Sequence, residues 1–281
     1  MTEADVHPAY PSLDLAPRGR GFFLSCLMVW AGSIAATAYF CISMAGGMDM
    51  PGGWTMSMAW MRMPGQSWLQ AALMYLAMWE MMMVAMMGPS VVPILRQYQL
   101  KASSGLAAQL AAGYYFVYLL IGVVTYPLGI GLAQAAMSWA PVSLIVPYLT
   151  AGTLILAGII QQTPWKRAHL TQCRDPLHCC ASTKDVRHTA DGPACRVAGI
   201  PQGTWWMGLR WGMSCALCCS GIMLALFVLG MMNPWVIIVL TVLITLERLM
   251  PRPEGVARLS GLVAIALGIM MLCRSIGGLS L

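Results

Sequence analysis

Charge is what this chain has least of. Only 9% of its 281 residues are Asp, Glu, Lys or Arg, where a water-soluble domain carries about 25%, and 59% are hydrophobic. With a mean hydropathy of +0.70, the composition excludes a soluble globular domain and reads as an integral membrane protein. Phenylalanine is scarce as well, at 5 residues against 25 methionines, so much of the apolar bulk is thioether. No Walker-type nucleotide loop occurs, which argues against direct ATP drive, and no internal repeat is visible, which argues against an inverted-repeat carrier. No small-residue cleavage site follows the first apolar run, so that run is expected to stay as an anchor and not to leave as a signal peptide. The net charge of +6 is spread over the segments between apolar runs and does not point to nucleic acid.

What is present is a series of apolar runs. Seven of them approach the ~20 residues that cross a bilayer: 21–43, 68–95, 106–129, 142–161, 205–229, 235–249 and 256–273. The sixth is short, and Gly261 and Gly268 dilute the seventh, so six spans with the last pair as a re-entrant hairpin is the alternative arrangement. Most of the basic residues, among them Arg18, Arg20, Arg96, Lys101, Lys166, Arg167 and Arg252, fall on one side of this arrangement. The positive-inside bias then puts the N-terminus in the cytosol. The fold expected is an all-α, polytopic transmembrane helical bundle over residues 21–281, after a disordered cytosolic tail, 1–20. Two connections are long. Residues 45–67 face outward and are rich in Met, Gly and Trp; residues 163–204 face the cytosol and hold three of the four histidines and four cysteines.

Three constellations carry chemistry. Glu80 lies within the second run among methionines, at membrane depth, where a charge costs about 3 kcal/mol or more and marks an ion path, a proton relay or a metal site. Helical periodicity places Met83 and Met87 on its face. The fifth run carries Cys215, Cys218 and Cys219, which the i, i+3, i+4 spacing gathers on one helix face; thiolates are strong ligands for soft metals. The outward segment repeats a Met-x-Met spacing at Met48/Met50, Met56/Met58 and Met61/Met63. Thioethers stay unprotonated, bind Cu(I) and do not form disulfides in an oxidising compartment. The cytosolic segment adds His169 and Cys173, then His178-Cys179-Cys180, His188 and Cys195. Each has a plainer explanation: Met as flexible filler, small cysteines as close-packing residues, Trp54 and Trp60 as interfacial anchors. Leu246-Glu247-Arg248, at the end of the sixth run, reads as an interfacial anchor, with an ion relay as the alternative.

The segment Trp79-Glu80-Met81-Met82-Met83-Val84-Ala85-Met86-Met87-Gly88-Pro89-Ser90 is followed by Gln162-Thr163-Pro164-Trp165-Lys166 leading to Cys173-Arg174-Asp175-Pro176. Gly208 through Cys218-Cys219 comes next, then Gly230-Met231-Met232-Asn233 and Glu247-Arg248. This ordered set resembles the bacterial predicted metal-binding integral membrane proteins, a domain family of unknown function, from the second run onward. The resemblance implies a multi-pass protein of the bacterial inner (cytoplasmic) membrane with a metal role. It carries over to Glu80, Met82, Met83, Met86 and Met87, and to Cys215, Cys218 and Cys219. Where that family has two cysteines four apart after the Thr-Pro-x-Lys stretch, this chain has His169 and Cys173.

The function expected is Cu(I) transport or delivery, with zinc as the second metal, through Glu80, Met83, Met87, Cys215, Cys218, Cys219, Met48, Met50, His169 and Cys173. No catalytic residue is assigned. The partners expected are the lipid bilayer and a metallochaperone or cuproprotein. The rival readings are a membrane thiol-disulfide oxidoreductase working with a quinone, and an assembly subunit of a membrane complex with no metal of its own.

Overall fold

A computed structural model describes residues 20–174 except 45, 52, 63 and 64, residues 188–189, 192–193 and 195–197, and residues 200–277 except 251 and 252. The tail 1–19, Met63 and the His178-Cys179-Cys180 segment lie outside the described residues. Among the described residues are nine α-helices: α1 (Arg20–Ser43), α2 (Trp68–Lys101), α3 (Ser104–Ser138), α4 (Ala140–Gln162), α5 (Pro164–Arg174), α6 (Thr204–Cys218), α7 (Ser220–Leu229), α8 (Pro234–Leu249) and α9 (Pro253–Gly277). An antiparallel hairpin, β1 (Gly47–Met50) with β2 (Trp54–Ser57), links α1 to α2. The short pairs β3 (His188–Thr189) with β4 (Gly192–Pro193) and β5 (Cys195–Val197) with β6 (Ile200–Gln202) precede α6. The all-α expectation holds for the body of the chain.

Five helices, α1, α2, α3, α4 and α9, are long and apolar enough to cross a membrane. The run 205–229 is broken at Cys219: α6 and α7 meet at 61° and make a sixth span only if taken as one bent element. At 16 residues, α8 is about 24 Å long, short of the ~30 Å hydrocarbon thickness. The irregular element is thus the fifth run and not the last pair. The seventh run is a full-length helix, and its glycines serve contact: a Cβ on Gly261 would meet the Gly158 carbonyl oxygen at 2.8 Å, and one on Gly268 the Ala151 oxygen at 2.9 Å. They let α9 lie directly on α4, as small residues do between apolar helices.

Prolines inside helices free carbonyls that tryptophans then occupy. Pro89 in α2 has no N–H for the carbonyl of Ala85, four residues back; the Trp30 indole N–H of α1 donates to that oxygen at 3.0 Å. Pro147 in α4 likewise frees Ser143, whose carbonyl accepts from the Trp54 indole of β2 at 3.0 Å. Two breaks in the ladder therefore become docking points, one for α1 and one for the hairpin. Helices α2 and α3 run antiparallel, since Trp79 Nε1 donates to the Tyr118 carbonyl at 2.9 Å and Tyr75 meets Thr125 at 3.2 Å.

The core between them is sulfurous. Met78, Met82, Met83, Met86 and Met87 of α2 belong to the same buried cluster as Cys173, Cys215, Cys218 and Cys219. At the end remote from the hairpin, Glu247 of α8 is buried and accepts from Lys166 of α5 at 2.7 Å, Gln161 of α4 at 2.9 Å and Ser260 of α9 at 3.2 Å. This polar knot ties four helices together.

Candidate soft-metal site

Four cysteines meet where α5, α6 and the α6–α7 corner pack together. Cys215 and Cys218 close α6, Cys219 is the corner residue, and Cys173 lies in the last turn of α5. All four are buried and free. All four belong to one buried cluster.

Glycine brings α6 into place. Gly208 and Gly212, four apart, form a small-xxx-small face; a Cβ on Gly212 would stand 2.7 Å from the Tyr114 carbonyl oxygen, and Gly113 of α3 would be blocked by the Trp205 oxygen at 2.6 Å. With the backbones this close, Cys215 Sγ reaches Tyr114 Oη at 2.8 Å and Tyr118 Oη at 2.7 Å. Those tyrosines are themselves four apart and share one face of α3. Cys173 is held from the other side, because the Trp211 indole donates to its carbonyl oxygen at 3.1 Å.

Arg248, the penultimate residue of α8, inserts its guanidinium into this group. Nη1 donates to Ser90 Oγ at 3.0 Å and to Tyr114 Oη at 3.4 Å; Nη2 donates to Cys219 Sγ at 3.4 Å and to Cys215 Sγ. Nε has no partner among the described residues. Arg248 is 5% exposed, and the adjacent carboxylate, Glu247, is turned away to Lys166. Among the described residues the guanidinium thus faces sulfur, hydroxyl and phenol and no acid. Outside the spans, the Cys173 thiol is pushed up from its ordinary value: the hydrogen bond with Cys215 pulls it down, and the one with Cys218 together with burial outweighs that.

The donor set is four thiols, soft ligands of the kind that select Cu(I) over Mg²⁺ or Ca²⁺, with two phenols beside them. Among the described residues no three His, Cys, Asp or Glu side chains stand ready-made around a common point. The guanidinium lies against Cys215 and Cys219, so an ion taking those two sulfurs displaces it.

The ligands expected from sequence are divided by the fold. Cys173, Cys215, Cys218 and Cys219 come together. His169 is one turn before Cys173, its ring 4.8 Å from that of Trp165, and its Nδ1 is buried without a partner among the described residues. Met83 and Met87 are fully buried. Glu80 does not join the hydrogen bonds around the thiols: it lies ten residues from Ser90, about 15 Å along α2, and its Oε2 is buried without a partner among the described residues. Met48 faces Met56 across the hairpin, exposed, while Met50 is buried against Ala133 and Ala136. Sequence reading missed Tyr114 and Tyr118, although two tyrosines four apart in an apolar run signal buried hydroxyls needing partners. It left Arg248 as an anchor, because an acid and a base at the end of a run look alike whether they meet water or the core.

A family model described as PpoB2, copper chaperone, matches residues 76–271, a stretch that includes α2 from its third turn onward, all four clustered cysteines and Arg248. No curated protein and no solved structure matches the chain.

Proposed function

The chain belongs to the PpoB2 copper chaperone family, and from that premise we propose that it holds Cu(I) at the cytosolic end of the bundle on Cys173, Cys215, Cys218 and Cys219 and delivers it to a cuproprotein or a metallochaperone. The observation that carries this is the buried guanidinium of Arg248 facing thiols and, among the described residues, no carboxylate. A buried charge without a counter-charge costs several kcal/mol. Cu(I) bound by two of the four cysteines as thiolates, with the other two remaining thiols, carries one negative charge, which the single guanidinium cancels. His169 is the donor by which copper leaves or reaches Cys173 at the cytosolic side, and Met83 and Met87 are the thioethers on the membrane side of the centre. Met48 and Met50 on the hairpin are outer contacts, and Glu80 is a proton or cation relay higher on α2.

The setting is the bacterial inner membrane, crossed several times with the N-terminus in the cytosol. Support comes from the helices of spanning length and from their exposed apolar faces, among them Ile42, Val124, Leu128 and Leu259, a surface that water would not tolerate over such an extent.

The test is anaerobic Cu(I) loading of the purified full-length protein, a wash with a Cu(I) chelator, and elemental analysis. Wild type is expected to retain copper, and Cys215→Ser/Cys219→Ser to lose most of it. Arg248→Gln is expected to bind at least about tenfold more weakly, ~1.4 kcal/mol. Copper retained by the cysteine pair variant at the wild-type level sinks the reading.

A further inference from the structure

A second cluster of sulfur lies at the hairpin end, remote from the thiols. Between the short 3-10 helix over Met58–Trp60, the first turns of α2 and the body of α3 is a cavity with a free volume of about 30 Å³. That is room for one or two water-sized particles and far too little for an organic ligand. Five methionines line it: Met44, Met58, Met61, Met74 and Met78. Among the described residues no carboxylate, histidine or cysteine lines it, and the one formal charge is Arg62, whose guanidinium sits 5.0 Å from the centre of the Trp68 ring. Hard divalent cations bind through oxygen ligands and find none of their preferred carboxylates here. Thioethers are neutral, do not protonate, and suit Cu(I).

A row of side chains on α2 leads from the cavity toward the thiol centre. Met74 and Met78 line the cavity, and steps of four residues lead on to Met82, Met86 and Ser90, each the neighbour of the next, in a row that winds about 40° per step around the helix. Met82 and Met86 are buried, and Ser90 Oγ accepts from Arg248 at 3.0 Å. Met78 to Ser90 spans about 18 Å of helix axis.

We propose that this cavity is a receiving site for a soft monovalent cation, Cu(I) or its analogue Ag(I), held by thioethers, with Met82 and Met86 as the stepping stones to the Arg248–thiol centre. The destination rests on the function proposed above; the cavity site does not. Affinity rises from thioether to thiolate along the row, which favours movement from the hairpin end toward the cysteines.

The experiment titrates Ag(I) into the full-length protein in detergent and counts bound equivalents for wild type, Met58→Leu/Met61→Leu and Cys215→Ser/Cys219→Ser. Leucine keeps the methionine volume, and both methionines are partly exposed, so the thermal unfolding midpoint should stay within a few degrees of wild type. The methionine variant is expected to bind one equivalent fewer than wild type while keeping the thiol-dependent one. Equal stoichiometry and affinity in the methionine variant and wild type overturns the proposal. Should the double variant not fold, Met61→Leu alone decides, by a weakened or an unchanged cavity equivalent. If the cysteine variant instead keeps every equivalent while the methionine variant loses one, the thiol reading fails and the cavity site stands.

Discussion

Arg248 can be buried because every hydrogen it offers to the interior, save that on Nε, meets an acceptor, and the acceptors are sulfur, hydroxyl and phenol. A residue that costs this much to bury persists only where something negative arrives beside it. The approach of α6 that creates this arrangement depends on hydrogen atoms where other residues have Cβ. Gly212→Ala would press a methyl group against the Tyr114 carbonyl. It is expected to destabilise the protein by about 1–3 kcal/mol, read as a lowered unfolding midpoint, and to weaken Cu(I) retention by moving Cys215 from Tyr114 and Tyr118. An unchanged midpoint would show that α6 is not held by that contact. At this scale the Cys-x-x-Cys-Cys spacing was legible, since the helix period alone gathers those sulfurs. Cys173 was legible as a ligand type but not as their neighbour, because 41 residues of intervening chain say nothing of where α5 returns.

Elements are joined where the ladder of backbone hydrogen bonds is interrupted or where a charge is sunk. Trp30 on the oxygen freed by Pro89, and Trp54 on that freed by Pro147, show breaks serving as sockets. Prolines near the spans were readable as kinks; their indole partners were not, since each comes from another helix or from the hairpin. The Lys166–Glu247 pair fixes α5 against α4, α8 and α9, and thereby the height at which Cys173 meets the other thiols. Lys166→Met is expected to cost about 3–5 kcal/mol, because it leaves a buried carboxylate unpaired. Lys166→Met/Glu247→Leu should recover much of that, since an apolar pair has nothing left to solvate. Detergent-solubilised unfolding midpoints of the two variants test this; equal losses in both would mean the pair is exposed to water.

At the scale of the whole molecule, the polar content is concentrated at the thiol end and the thioethers extend toward the hairpin. Because the Cys173 thiol is pushed up from its ordinary value, it carries its proton until metal arrives, so loading releases protons. Cu(I) affinity should therefore rise with pH and fall on acidification. Competition with a chelator at pH 6 and pH 8, with proton release followed by an indicator dye, gives the sign directly. Affinity independent of pH would exclude Cys173 as a ligand. The same polarity of donors orders the copper path proposed here, from neutral thioethers to thiols.

Composition and periodicity determined that this chain is a bundle of apolar helices with soft donors in it, because hydropathy and the 3.6-residue repeat are properties of each segment by itself. They also told which sulfurs share a helix face. Tertiary structure alone decided that the fifth run bends at Cys219, that Glu80 stays apart from the thiols, and that an arginine and two tyrosines complete their surroundings. Those outcomes depend on which backbones can approach, and that is set jointly by glycines, prolines and tryptophans on different helices, a pairing no single stretch of sequence contains.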